Sequence, residues 1–135
     1  NFLSTDCFVC AVMDARCSQV YNALFEIKNG VVTRLCDDRA LSLDDLKNEL
    51  LSVDGRIIIA GDGTDITCKY IGNKIKNAES APVNLKYQRA SSTALVAFKM
   101  INNGQTVSAQ ELMPVYLRLP QAQRELNKKL GGRTK

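Results

Sequence analysis

The sequence contains no histidine. Within this chain that excludes every Ser-His and Cys-His nucleophile pair and every His-ligated metal site. It also lacks a long apolar run. The longest, Cys7 to Met13, falls far short of a membrane span, so no membrane association is expected. No basic segment precedes that run, so it does not read as a signal peptide. An initiator methionine is missing as well: the chain begins at Asn1, as expected of a piece cut from a longer protein. What is present is ordinary for a globular domain. The 135 residues suit one domain, and hydrophobic and charged residues make up 45% and 24%. Such a chain can bury a core without staples.

Charge is unevenly spread. Residues 118–135 carry six basic residues and one acidic residue, while the remainder carries 12 basic and 13 acidic. The body is near neutral and the tail is basic. A basic tail suits the C-terminal pole of a helix dipole, and it also suits contact with RNA phosphates. The five cysteines, an odd number without a secretory leader, read as reduced, buried structural thiols. Cys7 and Cys10 match C-x-x-C, but inside a strand residues three apart point to opposite faces and cannot share an ion.

Periodicity gives the order of elements. Cys7–Met13 reads as a central strand and Val20–Ile27 as its partner, with Tyr21, Ala23, Phe25 and Ile27 on one face. Asn29-Gly30 is a hairpin signal leading into Val31–Leu35. Ser42 caps a helix whose stripe is Leu43, Leu46, Leu50 and Leu51, stopped at Asp54-Gly55. Arg56–Ala60 is a short buried strand. Gly61-Asp62-Gly63 turns into a helix over Asp65–Ile75, with Ile66 and Tyr70 on one side. Val83–Leu85 reads as a short strand. Ser91 or Ser92 caps a helix carrying Leu95, Phe98 and Met100. A basic helix is expected over Gln121–Leu130. A three-stranded antiparallel meander, extended by parallel strands and flanked by helices on both faces, is the α/β topology of the ribonuclease H-like lobe of the actin, Hsp70 and sugar-kinase superfamily.

Several groups invite chemistry. Asp14 and Asp62 end neighbouring strands, where two carboxylates could hold Mg²⁺ for a nuclease or peptidase. Asp6 and Glu26 do not converge with them, and turn capping accounts for Asp14 and Asp62. Gly61, Asp62 and Gly63 stand between a strand and a helix N-terminus, a position that favours nucleotide phosphates, although any sharp turn there needs glycine. Arg16, Tyr21, Tyr116 and Arg118 are of the types that carry protein interfaces.

Three segments in order resemble one family. Ala11-Val12-Met13-Asp14-Ala15-Arg16 followed by Val20-Tyr21, then Gly61-Asp62-Gly63, then Ala109–Arg118 with its Pro114-Val115-Tyr116-Leu117-Arg118 ending, resemble the second half of bacterial TsaB (YeaZ) proteins. Ser18-Gln19 and Ala122-Gln123 depart from the family's usual residues. The resemblance implies a C-terminal lobe over residues 1–118 with a basic tail over 119–135. It implies a cytoplasmic, non-catalytic accessory subunit for tRNA N6-threonylcarbamoyladenosine synthesis, despite the family's glycoprotease or M22 peptidase label. The implied partners are a TsaD-type catalytic subunit and a TsaE-type ATPase, with tRNA reached indirectly or through the tail, and a homodimer of the full-length protein. No catalytic or metal site and no cofactor held by this lobe alone are expected, with Gly61, Asp62 and Gly63 as the candidate nucleotide-contacting residues. ATP or ADP would enter only in the complex.

Overall fold

In the computed structural model, residues 5–119 together with Ala122, Gln123 and Leu126 are described. The expected tail helix over Gln121–Leu130 lies largely outside these residues. Six strands form one mixed sheet. They are β1 (Cys7–Asp14), β2 (Gln19–Lys28), β3 (Val31–Arg34), β4 (Arg39–Ser42), β5 (Ile57–Ala60) and β6 (Ala78–Ser80). Their order is β3-β2-β1-β5-β6, with β4 beside the other end of β2. β1, β2 and β3 pair antiparallel, and β5 and β6 add in parallel. This is the expected ribonuclease H-like arrangement.

The meander follows from its turns. Asn29 (φ 51°) and Gly30 (φ 75°) both take the left-handed conformation that a tight hairpin needs. Helix α1 (Leu43–Leu50) starts where expected. The Ser42 hydroxyl accepts from Asp45 N at 3.0 Å, and Asp44 and Asp45 occupy the first turn. Its buried stripe is Leu43, Leu46 and Leu50, while Leu51 is exposed. Helix α2 (Thr64–Ile71) is shorter than expected and continues as a 3-10 turn over Gly72–Lys74. It buries Thr64, Thr67 and Ile71, and Tyr70 faces out.

Two expectations about the later elements need correction. Val83–Leu85 is not a strand but the start of the single-turn helix α3 (Val83–Lys86), closed by Leu85 N donating to Pro82 O at 2.8 Å. The strand beside β5 is instead β6, whose Ala-Glu-Ser sequence has little β propensity and is held by its pairing with β5, by Ala78 packing on the core and by the Arg56–Glu79 ion pair. Helix α4 (Ala90–Asn102) begins after Arg89, with neither Ser91 nor Ser92 acting as its cap.

The principal core lies on one face of the sheet. Cys10, Val12, Val20, Leu24, Ile57 and Ile59 pack there against α1 and α2. A smaller cluster on the opposite face joins Cys7, Ile27, Ile58 and Ala81. Cys7 and Cys10 thus point to opposite sides of β1, as the strand period requires. Cys36 and Cys68 are half-buried. Cys17 is exposed, contrary to the expectation of burial, because it sits at the tip of the β1–β2 turn. Among the described residues no helix is long and apolar enough to cross a membrane.

Candidate functional site

The parallel pairing of β1 with β5 brings the ends of both strands to one edge, and three distant segments meet there. The β1–β2 turn is unusual. Arg16, Cys17 and Ser18, none of them glycine, all adopt positive φ, at 62°, 54° and 56°. Such residues cost free energy and persist where surrounding contacts fix them. Here Ala15 N donates to Gln19 O at 3.0 Å, Gln19 N to Arg16 O at 3.2 Å and Leu43 N to Ser18 O at 3.0 Å. Arg16 N donates to Asp14 Oδ1 at 2.7 Å. From the far end of the chain, Arg118 Nη1 donates to the Ala15 carbonyl oxygen.

The glycine turn lies against the same strand end. Gly63 N donates to Val12 O at 3.2 Å, and Gly61 N donates to Lys86 O at 2.7 Å. Asp62 Oδ1 accepts from Asp14 N at 3.3 Å. Close approach therefore explains both glycines: a β-carbon on Gly63 would lie 3.0 Å from Met13 C, and one on Gly61 would be closer still to β1. At the start of α2 the hydroxyls of Thr64 and Thr67 donate to Gly61 O and Gly63 O at 2.7 and 2.8 Å. Asp62 and Asp65 place negative charge beside this helix start, which complements its dipole and opposes an incoming phosphate. Asp65 is paired with Lys86 at 2.5 Å, and that carboxylate raises the Lys86 ammonium above its ordinary value.

Asp14 and Asp62 do come together, but as turn acceptors: one carboxylate takes Arg16 N and the other takes Asp14 N. Asp6 is remote from them and accepts from Asn29 N at 2.9 Å. Among the described residues no group of three or more acidic or cysteine side chains is placed to hold a metal ion.

Beside this junction, on the face of the sheet away from α1 and α2, lies a cleft of about 630 Å³. Its floor comes from β1, β2 and β5, and its walls from residues 85–89 and 115–118. Tyr21, Gly61, Tyr116 and Arg118 all line it, so the structure brings together four residues singled out in the sequence. Asp62 and Gly63 stand next to it. Arg16 lies outside, its side chain 87% exposed and 3.7 Å from Asp14 Oδ2. Lys86, Tyr87 and Arg89 also line the cleft and were not anticipated. Their signal was the Lys-Tyr-Gln-Arg run after Leu85, two cations around an aromatic residue.

No family model matches the sequence, and no curated protein does. Solved structures do. One is a crystal structure of an uncharacterized Pseudomonas aeruginosa protein with similarity to peptidase YeaZ. It matches with a TM-score of 0.57 and 20% identity, over 82% of this chain and 49% of that one. YeaZ from the same organism matches with a TM-score of 0.56 and 20% identity over the same shares. The chain spans about half the length of these structures. At this identity the likeness establishes the fold: the chain has a YeaZ-like, ribonuclease H-like fold.

Proposed function

We propose that this chain is the C-terminal lobe of a TsaB-type protein and serves as a non-catalytic accessory subunit in tRNA N6-threonylcarbamoyladenosine synthesis. The observation that carries the reading is the meeting of its three motif segments at the end of β1, on a YeaZ-like fold. Motifs far apart in sequence act together when they share one surface. The Arg16 turn, Tyr21, Tyr116 and Arg118 form that surface, and tyrosine and arginine are the residues that most often dominate binding energy. The partner is a TsaD-type catalytic subunit, which works with a TsaE-type ATPase. ATP or ADP acts at the level of that complex, in the cytoplasm. The basic residues after Leu117 add attraction to tRNA.

The test is reconstitution. The two-lobed protein containing this lobe is supplied to, or withheld from, a TsaD-type subunit with its ATPase and tRNA. Loss of threonylcarbamoyladenosine on omission supports the proposal, and unchanged modification without the protein overturns it.

A further inference from the structure

The floor of the cleft is a row of three alanines. Ala23 on β2 stands opposite Ala11 on β1, and Ala11 stands opposite Ala60 on β5. Residues in register across a sheet share a face, so the three methyl groups form one shallow trough. Bulkier pairs border it: Met13 with Tyr21 on one side, and Val9 with Phe25 and Ile58 on the other. With strands about 4.8 Å apart the row is about 10 Å long, room for a flat two-ring body. The volume of about 630 Å³ falls within the range of small-molecule sites.

The charges on the walls are not balanced. Lys86 is paired with Asp65, and Asp38 with Arg34 at 2.9 Å. Arg89 and Arg118 have no carboxylate partner among the described residues. Arg118 gives one N–H to the Ala15 carbonyl oxygen, and its buried Nε has no acceptor. A buried donor without an acceptor is costly, and a guanidinium is shaped to hold a carboxylate through two N–H groups. We propose that this cleft binds a small aromatic carboxylate, its ring system flat on the Ala23–Ala11–Ala60 row and its carboxylate on Arg89 and Arg118. The proposal does not depend on the tRNA role.

The probe is 2-naphthoate, with 2-naphthamide as a control of the same shape without charge. The readout is NMR of alanine methyl groups labelled with carbon-13. Saturable shifts at Ala11, Ala23 and Ala60 are expected for the acid, with affinity at least about tenfold weaker for the amide. Ala94 and Ala97, on the exposed α4, report non-specific adsorption and should not move. Arg89→Gln should weaken binding about tenfold without changing the melting temperature, since its side chain makes no hydrogen bond or ion pair among the described residues. Ala60→Leu should fill the trough and abolish the shifts. Equal affinity for acid and amide, shifts confined to Ala94 and Ala97, or no saturation by about 10 mM would each overturn the proposal.

Discussion

Gly61 and Val12 are in backbone contact: a β-carbon on Gly61 would lie 1.9 Å from the Val12 carbonyl oxygen, and Gly61 holds φ at +116°. Gly61→Ala therefore meets both a steric and a conformational barrier. The expected loss of stability is about 3 kcal/mol, read as a fall in the urea midpoint. A change below about 0.5 kcal/mol would show that β1 and the turn can separate.

Asn22 is a buried polar residue of β2. Its Nδ2 donates to Ala11 O at 3.0 Å and lies 3.4 Å from Cys10 Sγ, while its Oδ1 accepts from Arg39 Nε and Nη2 at 3.1 and 2.9 Å. Arg39 is held in turn by both Glu49 oxygens at 2.7 Å. Asn22→Leu strands those Arg39 donors and should cost about 2 kcal/mol in chemical denaturation, although leucine is the more apolar residue.

Burial pushes the Cys10 thiol up to about 12, against 9.0 for an ordinary thiol. The folded state keeps the proton that the unfolded chain releases. Cys10 therefore leaves stability intact below pH 9. Between pH 9 and 12 it removes about 1.4 kcal/mol per pH unit, and above 12 nothing further. Subtracting the stability–pH curve of Cys10→Ala from that of the wild type should leave this slope. In the native protein at neutral pH, Cys17 should react with a thiol reagent first, and Cys7 and Cys10 only after unfolding.

Arg16 contributes little to the fold, since its side chain is 87% exposed and its ion pair with Asp14 is a surface one. Arg16→Ala should change stability by less than about 0.5 kcal/mol. In the two-lobed protein it should weaken binding to a TsaD-type subunit by about tenfold in calorimetry. Unchanged affinity would remove the turn from the partner surface.

Leu46 and Phe98 separate packed from unpacked apolar residues. Leu46 is 1% exposed and Phe98 is 63% exposed. Leu46→Ala should cost about 3 kcal/mol, and Phe98→Ala less than about 0.5 kcal/mol. Thermal melts of the two variants make the comparison.

The parts of the fold legible in the sequence were those with local signals. The Cys7–Met13 apolar run, the Asn29-Gly30 hairpin and the Ser42 cap each carry their cause within a few residues. β6 carries no such signal, because Ala78-Glu79-Ser80 is a strand through its pairing with β5. β4 was hidden for a similar reason: Arg39–Ser42 follows the polar Cys36–Asp38 stretch and pairs only with β2. Val20–Ile27 alternates clearly, but alternation does not say which face is inward. The principal core took Val20 and Leu24, and left Tyr21 and Ala23 to the cleft. Tyr21, Tyr116 and Arg118 were legible as residue types, whereas the alanine row depends on register between three strands and could not be read from spacing.

The hydrogen bond from Arg118 to the Ala15 carbonyl joins residues 103 positions apart. It sets an order of events during synthesis. The sheet and its principal core need only residues up to about Ala81, so they can form while the rest of the chain is still being made. The cleft cannot. Its last wall emerges about 100 residues after the turn that anchors it, a delay of roughly 5–20 s at ordinary translation rates. Throughout that interval the alanine row is open to chaperones and to neighbouring chains, and the surface on which the motifs meet is completed only after the sheet that carries it.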